Sequence, residues 1–270
     1  MPGGPESAEP NIIRSCRNTI DLWFCANEKI VDPPLLKRYY RQLAPDEREQ
    51  HGRFCFERHR HQYLITRAMV RNVLSLYADS VSPEEWRFSR NEYGKPWVSG
   101  PITRPVRFNV AHTRGMIVLG VTGSHEIGVD VESQGRGHAS LEIADRFFSP
   151  AEAQSLRSLP IDHQASRFCD LWTLKEAYIK ARGMGLSLPL DGFGFEFLSG
   201  DGLAISFGEA ISDDPRQWRF RLLRASEEHK VAVGIKGDSA DGQFDIAIRE
   251  IIPAERHKLV NWPLLRCTSI

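Results

Sequence analysis

Ile127-Gly128-Val129-Asp130-Val131-Glu132 alternates apolar and polar side chains without a break. In a strand, Ile127, Val129 and Val131 share one face, and Asp130 and Glu132 share the other, about 6.6–7 Å apart along the chain. Two carboxylates so placed can converge on one hard cation. The same alternation also suits the solvent face of an ordinary half-buried sheet. Either way, the middle of the chain reads as a strand with one buried face.

Outward from this strand the pattern continues in both directions. Upstream, Val106, Phe108 and Val110 alternate with Arg107, Asn109 and Ala111, and Met116–Thr122 is a second apolar run. Thr19–Phe24 reads as a first strand. Asp46–Ala78 reads as helix in two pieces, with Ile65, Met69, Val73 and Leu76 on one face. Ser82-Pro83-Glu84-Glu85 has helix-start chemistry, yet the turn residues Asn91–Gly94 follow so closely that a single turn is predicted.

Downstream, Leu141–Phe148 reads as helix. Ser149-Pro150-Ala151-Glu152 restarts one with a serine cap, a proline at the first position and a capping-box glutamate. A longer helix is predicted from Asp162 to Arg182, stopped by Gly183 and Gly185. Phe193/Phe195/Phe197, Leu203/Ile205/Phe207, Trp218–Leu223 and Val231–Ile235 then read as a run of antiparallel strands. Phe244–Ile248 is one more strand, and the Pro-interrupted tail after it has no assigned role. Each half is a long helix followed by strands, which is compatible with a duplication.

The long helix carries the second polar feature. Trp172, Glu176 and Lys180 fall at i, i+4 and i+8, one stripe with about 6 Å between neighbours. An exposed Glu-to-Lys pair would explain two of these residues, but a purely solvated face does not need the tryptophan. His112 ends a strand beside Arg114 and Gly115, where a histidine can meet an anion or simply cap the strand. His59 and His61 do not share a helix face and read as surface residues. Glu92-Tyr93-Gly94-Lys95-Pro96 reads as a turn holding one lysine rigidly. No GxxxxGK[ST], GxGxxG, GxSxG or HExxH occurs, which removes the commonest nucleotide-binding, hydrolase and zinc-protease readings.

Composition bounds the rest. The 270 residues carry 35 Lys+Arg and 35 Asp+Glu, so no global field favours nucleic acid or an anionic membrane. With 41% hydrophobic and 26% charged residues, the chain reads as an ordinary globular protein. Its longest apolar run, Met116–Val121, is far short of a membrane span. Met1–Pro10 lacks both the basic and the apolar region of a secretion signal and is expected to be a flexible tail. Cys16, Cys25, Cys55, Cys169 and Cys267 are odd in number and form no CxxC pair, which points to a reducing cytoplasm.

Taken in order, these segments resemble the Sfp-type 4′-phosphopantetheinyl transferases. The carrying residues are Arg87-Phe88-Ser89 with Glu92-Tyr93-Gly94-Lys95-Pro96, then Phe108-Asn109-Val110-Ala111-His112 and Ile127–Glu132. Arg146-Phe147-Phe148-Ser149, Leu171–Lys180 and Gly185–Asp191 follow. The match spans about Pro45 to Phe195, with extension to Gly234.

The resemblance implies an α+β fold of two similar subdomains about a pseudo-twofold, with the site in the cleft between them. Its boundaries would be a tail at 1–14, subdomains at 15–125 and 126–236, and an extension at 237–270. It also implies transfer of the phosphopantetheine arm of coenzyme A to a serine of an apo carrier protein, releasing adenosine 3′,5′-bisphosphate.

Asp130, Glu132 and Glu176 match the magnesium-binding acids, with Mn2+ as an alternative ion. Lys180 matches the lysine at the diphosphate, and His112 the residue at the 3′-phosphate. Gly94, Lys95 and Pro96 match the turn around the adenine, with Arg90 and Asn109 alongside. Glu176 is also the expected proton acceptor from the carrier serine, directly or through a water on the metal. Asp130, Glu176 and Lys180 are thus the expected catalytic set.

Two departures weaken the expected grip on the 3′-phosphate. Ala111 stands where the family often has serine, and Gln50 stands where a cation is expected, with Arg48 or Arg53 as its substitute. Carrier docking is expected along Ser133–Phe148, including Arg136 and Arg146, and the protein is expected to be a monomer. A Mg2+ enzyme acting on another diphosphate, or a non-catalytic binding module on the same scaffold, are the rival readings.

Overall fold

The structure is a computed structural model that describes residues 19–268 apart from 79, 102–104, 124, 134–140 and 238–243, with the backbone alone at 141, 142 and 186. The tail expected at 1–14, together with Cys16 and Arg136, lies outside the described residues.

The first half runs β1 (Thr19–Cys25), α1 (Pro33–Gln42), α2 (Pro45–Arg53) and α3 (Glu57–Ser75), then β2 (Arg87–Arg90), β3 (Pro96–Gly100), β4 (Arg107–Thr113) and β5 (Met116–Thr122). The second runs β6 (Glu126–Ser133), α4 (Leu141–Phe147), α5 (Pro150–Arg157) and α6 (Ile161–Arg182). The strands β7 (Phe193–Phe197), β8 (Gly202–Phe207), β9 (Trp218–Arg224) and β10 (His229–Lys236) follow. Three more close the chain: β11 (Asp245–Ile252), β12 (Arg256–Val260) and β13 (Leu264–Thr268). Among the described residues no helix is long and apolar enough to cross a membrane.

Local chemistry accounts for the helix ends. Ser149 Oγ accepts from Glu152 N, and the Glu152 side chain answers from the other direction, the capping box read from the sequence. Gly183 closes α6 at φ 65°, a left-handed conformation that favours glycine. The segment Ser82–Glu85 is held by Ser82 N and Oγ donating to the Glu85 carboxylate, and no helix grows from it. Helix α1 was not foreseen, although Asp32 caps it by accepting from Leu35 N, with Pro33 at its first position.

The strands form two large sheets and one hairpin. One sheet has the order β12-β11-β1-β5-β4, the other β6-β10-β9-β13-β8-β7, and β2 pairs with β3. The expected run of antiparallel neighbours from 193 to 235 is therefore interrupted. Strand β13 enters between β8 and β9, parallel to the first and antiparallel to the second. Likewise β11 pairs in parallel with β1. The segment from 237 onward is thus woven into both sheets.

Three apolar clusters hold the layers together. Helix α3 covers one sheet through Ile65, Met69 and Val73 against Trp23, Ile117 and Leu119. Helix α6 covers the other through Leu174 and Tyr178 against Trp218, Phe220 and Leu222. Between the sheets, Ile20, Leu22 and Val118 meet Ile127, Val129, Val131 and Val233. The inward face of β6 therefore belongs to the core between the sheets, and its other face belongs to α6.

That second face begins with Gly128. A Cβ there would lie 2.0 Å from Ala177 O and 2.4 Å from Ala181 N, so the helix backbone rests directly on the strand. Gly128→Ala is expected to push α6 off β6. Overpacking of this kind costs about 3 kcal/mol, measurable as a lower urea midpoint, whereas an unchanged midpoint would show that the contact is slack.

Candidate active site

The alternation of β6 turns Gly128, Asp130 and Glu132 toward α6. On the helix, Trp172, Glu176 and Lys180 are half-buried, while Lys175, Ala177, Tyr178 and Ile179 between them are buried. The predicted stripe is therefore real and faces the strand's acids. Trp172 earns its place by stacking on Phe168, with centroids 5.9 Å apart, and by meeting the Phe147 ring edge-on.

Lys180 Nζ lies 2.5 Å from Asp130 Oδ1, and Asp130 is buried. Burial pushes the Glu176 carboxyl above its ordinary range; Lys180 draws it back and the charge of Asp130 drives it further up. Asp130 and Glu176 thus sense each other across the strand–helix contact. Among the described residues no three His, Cys, Asp or Glu side chains are gathered closely enough to hold a metal ion, so Asp130, Glu132 and Glu176 do not form a ready cage.

Neighbouring buried cations fix the position of α6. Lys175 is fully buried, and its ammonium donates to Leu190 O at 2.7 Å and Phe193 O at 2.6 Å, with Glu152 at 2.8 Å. Glu152 accepts in turn from Phe195 N. Burial lowers the Lys175 pKa and Glu152 opposes the change. Removing one partner of such a pair typically costs about 3–5 kcal/mol, because the other charge stays buried. Lys230, on β10 opposite Glu132, donates to Ser166 O and Oγ and pairs with Asp170, which ties the sheet to α6 a second time.

A broad cleft of about 2110 Å³ opens where the first half meets Ser133 and the β9–β10 turn. It gathers Arg53, Arg90, Gly94, Pro96 and His112 from the coenzyme A set, with Gln50 beside them; Asp130, Glu132, Glu176 and Lys180 are not among its lining residues. His112 is exposed there. Of the two arginines offered in place of the missing cation, Arg53 lines the cleft, held at 2.5 Å by Glu49. Arg48 does not; it bonds Arg41 O at 2.9 Å instead.

Two more residues of the expected coenzyme A set bond within the fold. Asn109 is buried, and its Oδ1 accepts from Val129 N at 2.9 Å, joining the edge strands β4 and β6. Lys95 turns away from the cleft and donates to Ala181 O.

Sequence reading missed Arg67 and Arg71, which also line the cleft. Both are gripped by Glu47, with Arg67 Nε at 2.6 Å and Arg71 Nη2 at 2.8 Å, and both stack over Phe88. Their i, i+4 spacing on α3 was the available signal. His61, read as surface, is half-buried and its Nε2 lies 3.0 Å from Asn27 O.

Two family descriptions match the chain, one in each half. Residues 33–123 match the family described as "4'-phosphopantetheinyl transferase, N-terminal", and residues 126–234 the "4'-phosphopantetheinyl transferase superfamily". A "4'-phosphopantetheinyl transferase" of Bacillus subtilis is 34% identical over 71% of this chain and 81% of its own length.

The chain belongs to the 4′-phosphopantetheinyl transferase superfamily.

"4'-phosphopantetheinyl transferase Sfp" of Bacillus subtilis (strain 168) is 38% identical over 58% of this chain and 67% of its own length. The human "L-aminoadipate-semialdehyde dehydrogenase-phosphopantetheinyl transferase" is 26% identical over 76% of this chain and 71% of its own. This member of the family is therefore an Sfp-type transferase, and the strand–helix carboxylates are the groups on which its activity should depend. Asp130→Ala and Glu176→Gln are each expected to lower the transfer rate about a hundredfold or more, with circular dichroism unchanged. A wild-type rate in either variant would remove that residue from the site.

Proposed function

We propose that the protein transfers the 4′-phosphopantetheine arm of coenzyme A to a serine of an apo carrier protein in a Mg2+-dependent reaction, releasing adenosine 3′,5′-bisphosphate. The observation that carries this reading is the meeting of Asp130 on β6 with Glu176 and Lys180 on α6, beside which the chain also offers a separate arginine-lined cleft that holds His112. Of β6 only Ser133, one residue beyond Glu132, lines that cleft.

Carboxylates are the right chemistry for a hard divalent ion, and Asp130 and Glu176 are near enough to act on each other electrostatically. Drawing the three acids around one ion requires Lys180, which now offsets the charge of Asp130, to release it. Mg2+, or Mn2+ in its place, would be held by Asp130, Glu132 and Glu176 and would neutralise charge on the diphosphate. The chain's own residues supply the rest. His112 and the cleft arginines bind the 3′-phosphate end of coenzyme A, with Arg53 standing in for the cation absent at Gln50.

Gly94 and Pro96 shape the adenine end. Lys180, half-exposed, contacts the diphosphate. The serine oxygen forms a bond to the phosphorus of the phosphopantetheine as the bond from that phosphorus to adenosine 3′,5′-bisphosphate breaks. The serine proton passes to Glu176, which burial makes a stronger base than an exposed carboxylate.

Incubation with coenzyme A, Mg2+ and an apo carrier is expected to add one phosphopantetheine arm to the carrier by mass spectrometry, and EDTA is expected to stop it. No gain on any member of a panel of acyl and peptidyl carriers would sink the proposal. Docking falls to Ser133–Phe148, of which 134–140 lies outside the described residues; Arg146 is exposed, over the Phe147 ring. Reversing Arg136 and Arg146 to Glu should raise KM for the carrier and leave KM for coenzyme A unchanged. One chain supplies both walls of the cleft, which supports a monomer; the compartment proposed, from the cysteine pattern, is the cytoplasm.

A further inference from the structure

The turn Asn91–Lys95 belongs to the first half of the molecule, but its side chains reach the second. Asn91 Oδ1 accepts from Tyr93 N at 3.1 Å and Lys95 N at 2.8 Å, which fixes the turn, and Asn91 Nδ2 donates to Gly183 O at 2.7 Å. Lys95 Nζ donates to Ala181 O at 2.7 Å, to Ile127 O at 3.3 Å and to Glu126 Oε2 at 3.2 Å. Its side chain is 17% exposed. An ammonium has three donors, so these three partners leave none for a phosphate.

The partners have a pattern. Ala181 is the residue after Lys180, at the C-terminal end of α6, where carbonyls lack helical partners and the dipole is negative. Ile127 lies three residues before Asp130 on β6. One side chain thus holds the two elements that carry the acids, at the same end of their contact. The fit is close: a Cβ on Gly183 would lie 2.6 Å from Lys95 Cδ and 3.3 Å from Asn91 Nδ2.

We infer that the Lys95 side chain, with Asn91, clamps α6 to β6 and sets the spacing of Glu176 and Lys180 from Asp130, a positioning role in which its ammonium does not meet coenzyme A. This rests on the transfer reaction proposed above for the same site. Small displacements of reacting groups are costly in rate, so losing the clamp should appear in kcat while substrate grip persists.

The test is Lys95→Met, which keeps the stem and removes the donors. The expected result is a fall in kcat of about tenfold to a hundredfold with KM for coenzyme A unchanged. Amide hydrogen exchange should also quicken at residues 179–183 and 127–131. A raised KM for coenzyme A with kcat and exchange unchanged would overturn the clamp and restore a coenzyme contact; no change in any of the three would overturn it as well. Should that variant fail to fold, Asn91→Ser removes the bond to Gly183 and carries the same comparison. If the wild-type protein transfers nothing, the proposed reaction falls, and the exchange measurement still decides the clamp.

Discussion

The contact between Gly128 and the backbone of α6 is the constraint on which the site depends. Two carboxylates on a strand and two charged residues on a helix do not make a site until their backbones touch. With Ala177 O 2.0 Å from where a Cβ would stand, no residue but glycine allows this approach. The period of two on β6 then turns Asp130 toward the helix, and the period near four on α6 turns Glu176 and Lys180 toward the strand. The 2.5 Å ion pair between Lys180 and Asp130 follows from those two periodicities once the elements are pressed together.

Those periodicities are local, and so they were legible in the sequence. The strand 127–131, the helix 162–182, its stop at Gly183 and the capping box at Ser149–Glu152 all depend on residues within a few positions of one another. What could not be read is long-range. Strand β13 sits between β8 and β9, and β11 beside β1, more than two hundred residues away in sequence. A five-residue strand that starts just after Pro263 carries no mark of the sheet it will join.

The candidate site divides the same way. Asp130, Glu176 and Lys180 were found because their spacing matches a strand face and a helix stripe. Arg67 and Arg71 were missed because their role depends on Glu47, twenty and twenty-four residues upstream, which grips both guanidinium groups. Asn109 and Lys95 were picked out as positions, but the direction of their side chains was not legible. Motif resemblance places a residue near a site without saying which way its side chain points, and here both point into the join between the halves.

Lysine shows why that distinction is physical. Lys95 and Lys175 each satisfy three donors on carbonyls and a carboxylate, and Lys175 is fully buried. A saturated ammonium is a cross-link: its charge is matched, its geometry is fixed, and replacing its partners with a substrate would cost the fold. Lys180 is 29% exposed and holds a carboxylate rather than backbone carbonyls. Asp130 is buried, so its charge must stay matched: Lys180 can turn to a phosphate oxygen where another cation takes its place beside that carboxylate. The zero net charge of the chain is a sum over such arrangements, and the lysine suited to meet substrate is the one whose place another cation can take.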